Sequence, residues 1–234
     1  MKNLMIFINP AKKFLEEDDL MARIQIDNSL DLGWKPEDII LVTNFPYEYK
    51  GIKTKVMEGM WCDYWKQMSK MNVMVNLDYD DFIWFHDLDA FQTHPIDVKL
   101  KTEIGFTRYG YMDKWNTGSI FFKPSAKDIL VKLRDRAYEL KTDEERALHT
   151  IEDDIKGRYE EINHTYNFPG SRNGTKYFSR VYNNCELPVK VLHFHPMRHR
   201  GRYFRMLCGV NEMNLNLMPE RLYNIFKKNN YGYI

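Results

Sequence analysis

Two carboxylates one residue apart, Asp87 and Asp89, follow an apolar run, Phe82-Ile83-Trp84-Phe85. The run reads as a buried strand. Carboxylates at its end carry a desolvation cost of several kcal/mol unless something pairs with them. A divalent cation would offset that cost. Mg²⁺ and Mn²⁺ prefer oxygen ligands, and Mg²⁺ is commonly held by one or two carboxylates plus substrate phosphates. The Asp-x-Asp pair therefore points to a metal-diphosphate site at the carboxyl end of a central strand, where open α/β sheets bind ligands. Spacing alone is also met by a strand that leaves the core into an acidic turn, the commoner arrangement for so short a pattern.

The elements that must position this pair can be read on either side of it. Leu4 to Ile8 is a short apolar run ending at Asn9-Pro10, a first strand. Glu16 to Leu32 carries acids in its first turn and apolar residues at Leu20, Ile24 and Ile26, which suits a helix stopped by Gly33. Asp38 to Asn44 is a second strand, and Met57 to Met74 a Met- and Trp-rich helical segment of core character. Beyond the aspartates, Ile104 to Arg108 reads as a strand. Trp115 to Phe122 turns on Gly118 and enters another. Pro124-Ser125 opens a helix through Leu140 with Ser125 as its N-cap, and Thr142-Asp143-Glu144-Glu145 matches a capping box. Glu152-Asp153-Asp154 falls inside that next helix. Val189 to Phe194 is a late strand and Glu220 to Lys228 a short helix. Strands alternating with helices, without repeats or a linker, predict one α/β domain over residues 1–234. Its first half looks doubly wound and its second half mixed.

Composition excludes some classes of function. The 234 residues carry 34 basic and 33 acidic side chains, a formal charge of +1, so no global field draws the chain to nucleic acid or membrane. Three separated cysteines, Cys62, Cys185 and Cys208, form no zinc spacing and no disulfide framework, which predicts a reducing, cytoplasmic setting. The apolar N-terminus is too short for a signal peptide or a transmembrane segment.

Four later features bear on the aspartates. Asn116-Thr117-Gly118 is a polar turn entering an apolar strand. Asp143-Glu144 opens a helix, where acids complement the macrodipole by ~0.3–1 kcal/mol. Tyr166-Asn167-Phe168-Pro169 is a loop. Val191-Leu192-His193-Phe194-His195-Pro196-Met197-Arg198 is a strand end with a histidine, followed by a base suited to phosphate. Each has an ordinary structural explanation when taken alone.

In this order, from Leu4 to about Arg198, the features resemble the nucleotide-sugar glycosyltransferases of the GT-A fold, in particular the glycogenin-like and lipopolysaccharide galactosyltransferase group. The matching stretches are Asp87-Leu88-Asp89, Asn116-Thr117-Gly118, Glu144-Glu145, Tyr166-Asn167-Phe168 and His193-Phe194. Two of them depart from the group: Glu144-Glu145 replaces its Asp-Gln pair, and Pro196-Met197-Arg198 stands where it has Lys-Pro-Trp.

The resemblance implies a single GT-A-type domain with a Rossmann-like mixed central sheet flanked by helices. Residues 1–90 would form its nucleotide-binding half, and 91–234 the half that meets the acceptor and completes the metal site. It implies transfer of a sugar from a nucleotide-sugar, a UDP-sugar foremost, to a glycan, lipid-linked or other acceptor, with retention of configuration. Asp87, Asp89 and His193 would hold Mn²⁺ or Mg²⁺, and Arg198 would sit near the leaving diphosphate. Asn9 and Asn44 would lie near base and ribose, Lys66 near the donor, Asn116 against the substrate, and Asp143 or Glu144 by the sugar or acceptor. The basic run Arg198, Arg200, Arg202 and Arg205 suits a solvated flank, or a phosphorylated, lipid-linked or nucleic-acid acceptor. Two other classes fit parts of the pattern. A haloacid dehalogenase-like phosphatase would use Asp87 and Asp89 as nucleophile and acid, although that pair normally ends a first strand. A non-catalytic nucleotide-sugar binding module would keep the ligands alone.

Overall fold

The computed structural model describes residues 1–170, 176–194 and 217–229. Strand β1, Lys2–Phe7, starts the chain and helix α1, Glu16–Asp31, follows. Gly33 then takes φ +86°, a left-handed value that favours glycine and stops the helix. Next come β2, Ile39–Thr43, a small hairpin of β3, Glu48–Tyr49, with β4, Ile52–Lys53, and β5, Lys55–Val56. Helix α2 spans Met68–Asn76. It is shorter than the helix expected over 57–74, because residues 57–67 form turns and irregular backbone rich in aromatic side chains.

The centre is β6, Ile83–His86, joined by a tight turn to β7, Ala90–Gln92. Then follow β8, Ile104–Arg108, β9, Trp115–Phe122, α3, Lys127–Leu140, and α4, Glu144–Ile151. Here three expectations are corrected. Gly118 makes no turn, for β9 continues through it, although its pairing with β8 is irregular between Asn116 and Phe121. Ser125 lies within a one-turn 3₁₀ segment, Pro124–Ala126, and does not cap α3. Glu152-Asp153-Asp154 lies beyond the end of α4, in turns. The later elements are β10, Tyr159–Glu161, β11, Phe168–Pro169, α5, Lys176–Asn183, β12, Val191–His193, and α6, Glu220–Lys228.

The main sheet has seven strands in the order β10-β8-β9-β6-β1-β2-β5. Within it β9 runs antiparallel to β6 and β8, while the other neighbouring pairs are parallel. Strands covered on both faces are buried along their whole length and need not alternate, as β6 and β9 show at every residue. One face packs Leu4, Ile83, Phe85, Ile120 and Phe122 against α2, α3 and α4 through Met71, Met74, Ile129 and Leu148. The other packs Met5, Ile39 and Leu41 on α1 and α6 through Met21, Ile24, Leu222 and Phe226. A second sheet has three strands in the order β11-β12-β7. The architecture is the mixed α/β sheet flanked by helices that the sequence implied.

Candidate metal centre

The site forms where the two sheets join. Strand β6 ends at His86, and the chain turns through Asp87-Leu88-Asp89 into β7, closed by a hydrogen bond from the Ala90 amide to the Asp87 carbonyl, 3.0 Å. The turn is held from two sides. The Asp87 amide donates to the Gly118 carbonyl on β9, 2.9 Å. From α1, the buried amide of Gln25 donates to the carbonyls of Leu88 and Ala90, each 2.9 Å, and Asn28 donates to that of Gln92, 2.8 Å. Buried side-chain amides persist where they meet such otherwise unpaired backbone groups.

Strand β12 runs antiparallel to β7 with His193 opposite Ala90. The Phe194 amide donates to the Asp89 carbonyl, 2.9 Å, so the late strand is stitched to the turn itself. The His193 Nε2 atom then lies 3.4 Å from Asp89 Oδ1 and 4.0 Å from Asp87 Oδ2. Ligand atoms from Asp87, Asp89 and His193 all fall within 4.8 Å of one another, the one such group among the described residues. Two carboxylates and one imidazole make a donor set that suits a divalent first-row cation or Mg²⁺. The backbone is also shaped for the imidazole: a Cβ added at Gly118 would stand 2.0 Å from His193 Cε1. Asp87 is the ligand open to solvent, at 31% side-chain exposure against 10% for Asp89 and 3% for His193. That opening is where a ligand would approach.

Beside the triad lies a largely buried cation, Lys70 on α2, with 11% of its side chain exposed. Its ammonium stands 3.3 Å from Asp87 Oδ1 and 3.0 Å from Glu144 Oε1, and donates to the hydroxyl and carbonyl of Thr117, each 3.3 Å. Burial opposes its charge, but Asp87, Glu144 and Glu145 outweigh burial and raise its pKa. Glu144 shows the reverse balance. Burial works against its ionised form, and Lys70, with a 2.7 Å hydrogen bond from Thr117, prevails and lowers its pKa. Burial lifts Asp87 above the ordinary carboxylate range, Lys70 pulling it down and Asp89 pushing it further up. Glu145 is also raised, by burial ahead of the opposing Lys114 at 2.6 Å. It accepts a hydrogen bond from Tyr109, 3.1 Å, and one from the Thr117 amide, 3.3 Å.

The other residues singled out from the sequence fall as follows. Asp143 is the N-cap of α4, accepting from the Arg146 amide at 2.8 Å, so the cap is Asp143 rather than Thr142. Asn116 is fully buried: its Oδ1 accepts from the Gly118 amide, 3.1 Å, and its carbonyl accepts from Thr107 and Asn167. Asn9 and Asn44 join the ends of β1 and β2, with Asn44 Nδ2 donating to the Asn9 carbonyl, 2.7 Å, and its Oδ1 accepting from the Asn9 amide, 3.2 Å. Lys66 is exposed on the turn before α2, one helical turn short of Lys70. Arg198, Arg200, Arg202 and Arg205 lie outside the described residues. Sequence reasoning passed over Lys70, Gln25 and Asn28. The available signal was Gln25 and Asn28, uncharged polar residues set among the buried positions of α1.

With the fold and site in view, the mixed sheet and its flanking layers have the fold of solved glycosyltransferases. Among solved structures, the glycosyltransferase GlyE of Streptococcus pneumoniae TIGR4 is similar over 97% of this chain, with a TM-score of 0.58 and 14% identity. The galactosyltransferase LgtC, in complex with donor and acceptor sugar analogs, aligns over 97% of this chain and 96% of its own, with a TM-score of 0.57 and 11% identity. A glycosyltransferase involved in glycosylating the major capsid of PBCV-1 aligns over 85% of this chain and 96% of its own, with a TM-score of 0.54 and 12% identity. The chain spans 63% of the length of GlyE. No protein-family description matches the sequence, and no curated protein matches it. No helix among the described residues is long and apolar enough to cross a membrane.

Proposed function

We propose that the protein is a metal-dependent glycosyltransferase that moves a sugar from a nucleotide-sugar, a UDP-sugar foremost, to an acceptor. The observation that carries this reading is the meeting of Asp87, Asp89 and His193 within 4.8 Å at the sheet junction of a glycosyltransferase fold. These three side chains would hold Mn²⁺ or Mg²⁺. A cation there would supply Lewis-acid stabilisation of charge on a departing diphosphate.

The chain's own residues supply the rest. Lys70 keeps a fixed positive charge beside Asp87, in a setting with little water, where charges act more strongly than in solvent. Glu144 and Glu145 present carboxylates at the start of α4, suited to sugar hydroxyls or to the positive character that develops on the sugar carbon in glycosyl transfer. Asn9 and Asn44, at the carboxyl ends of β1 and β2, remain the candidates for base and ribose. Asp143 and Asn116 enter as supports, the first capping α4 and the second anchoring the neighbourhood of His193. Arg198 is kept as a candidate for the diphosphate. The acceptor would approach past the loop after β8, where a cavity of about 420 Å³ is lined by Arg108, Tyr111, Glu161, His164 and Arg180. Retention of configuration and a reducing, cytoplasmic setting complete the proposal. The phosphatase alternative is not favoured, since a histidine faces the aspartates and the pair follows β6 rather than the first strand of the chain.

The test is a panel of nucleotide-sugars screened by thermal shift with and without Mn²⁺. Binding to the native state raises apparent stability by mass action, about 2.7 kcal/mol at a hundredfold excess over Kd. One donor should stabilise the protein only when Mn²⁺ is present, and Asp89→Asn should lose that response while its own melting transition persists. Equal donor affinity in Asp89→Asn would count against the assignment. Phosphoryl trapping on Asp87 would favour the phosphatase, and absent donor hydrolysis the binding module.

A further inference from the structure

A histidine holds a metal through a nitrogen that carries no proton, so the proton must be kept on the other nitrogen. For His193 that other nitrogen, Nδ1, lies 2.9 Å from Oδ1 of Asn167 on the chain just before β11. The orientation of that amide decides everything, because an amide can present either its oxygen or its NH₂ group. Its opposite end settles the matter. Asn167 Nδ2 lies 3.0 Å from the carbonyl oxygen of Asn116 and 2.8 Å from Oγ1 of Thr107. A backbone carbonyl only accepts. The Thr107 hydroxyl donates its proton to that same carbonyl, at 3.1 Å, leaving its own lone pairs for Asn167. Turned the other way, Asn167 would press an oxygen against a carbonyl oxygen in a fully buried site. The amide oxygen therefore faces His193.

We infer that Asn167 is the positioning residue of the metal centre: it holds the proton on His193 Nδ1 and so turns the lone pair of Nε2 toward Asp87 and Asp89. The chain of dependence begins in the backbone of β9. The Asn116 carbonyl orients Asn167, Asn167 orients the imidazole, and bare Gly118 two residues along β9 leaves the slot the ring fills. One strand thus fixes both the tautomer and the place of a ligand that arrives from β12. The Asn of Tyr166-Asn167-Phe168 and the Asn-Thr-Gly stretch acquire one physical role between them. The inference rests on the reading of His193 as a metal ligand.

The experiment combines imidazole ¹⁵N NMR with Mn²⁺ affinity. In the parent protein, with or without Mg²⁺, Nδ1 of His193 should show the shift of a protonated nitrogen, assigned by its disappearance in His193→Gln. Loss of second-shell partners commonly weakens metal binding by about 10–100-fold. Asn167→Leu, similar in size but without the amide, should weaken Mn²⁺ by that factor. Asn167→Asp, which keeps an oxygen for Nδ1, should retain affinity close to the parent even if it melts earlier, an outcome a merely structural role would not give. An unprotonated Nδ1 in the parent protein, or undiminished Mn²⁺ affinity in folded Asn167→Leu, overturns the inference. If His193→Gln itself leaves Mn²⁺ affinity unchanged, the metal reading fails rather than the role of Asn167 alone.

Discussion

At the scale of the residue, the decisive feature is how closely opposite charges are packed around Lys70. One ammonium serves two carboxylates, Asp87 and Glu144, with 11% of its side chain exposed. Removing one member of a buried pair strands its partner and costs about 3–5 kcal/mol, whereas removing both is far milder. Lys70→Met should therefore lower unfolding stability in urea by that amount, and adding Glu144→Gln should restore part of it. Full independence of the two substitutions in such a cycle would show that the pair is not coupled. The aspartates were legible from sequence because charge straight after an apolar run is conspicuous. Lys70 was not, because a lone lysine in a Met-rich helix looks like a solvated face; Lys66, four residues earlier, is in fact the exposed one. Gly118 was misread for a similar reason. Glycine in a polar stretch suggests a turn, and only the three-dimensional approach of His193 reveals that the missing side chain is the point.

At the scale of the element, long periodic segments announced themselves and short ones did not. Helices α1, α3 and α6 and strands β1, β2, β6 and β8 lie close to where apolar patterning put them. The two- and three-residue strands β3, β4, β5, β7 and β11 carry too few side chains to show a period. Strand β7 is the important omission, since its pairing with β12 brings His193 to the aspartates. Helix α6 secures the same region from outside. Arg221 donates to Asn28 Oδ1 at 2.7 Å, to the Thr93 carbonyl at 2.7 Å and to Asp31 at 3.1 Å, tying α6 to α1 and to the end of β7. Hydrogen bonds from a charged donor contribute about 1.5–3 kcal/mol. Arg221→Ala should cost about that much in denaturant unfolding and expose residues 217–229 to protease. Unaltered stability and cleavage would mean the helix is held by Leu222 and Phe226 alone.

At the scale of the whole molecule, acidity should weaken the fold before carboxylates are titrated. His94 and His164 are both drawn below their ordinary value of 6.5 by burial, and each donates Nδ1–H to a backbone carbonyl, of Val189 and Arg108 respectively. A depressed histidine stays neutral in the folded chain while the unfolded chain takes up a proton. Stability is thus complete above pH 6.5 and declines as pH falls below it, by at most about 1.4 kcal/mol per pH unit for each group. The melting temperature should fall between pH 7 and pH 5, and a His94→Gln, His164→Gln double variant should flatten the slope. A steeper slope in that variant would reverse the sign argued here. Further down, Glu103 and Asp128, both lowered by hydrogen bonds from Arg158, add a second decline below the carboxylate range. The fold as a whole was more legible than the site, because layers follow from patterning. A site gathers residues that sequence keeps far apart.

That distance has a consequence for how the molecule matures. Asp87 and Asp89 are made early, and the imidazole that completes their company follows only after every strand of the large sheet has been synthesised. Until β12 slides in beside β7, a growing chain would offer a passing ion two carboxylates and nothing else. Firm capture of the ion would then serve as a receipt for finished assembly, so the protein would gain its chemistry at the moment its architecture closes.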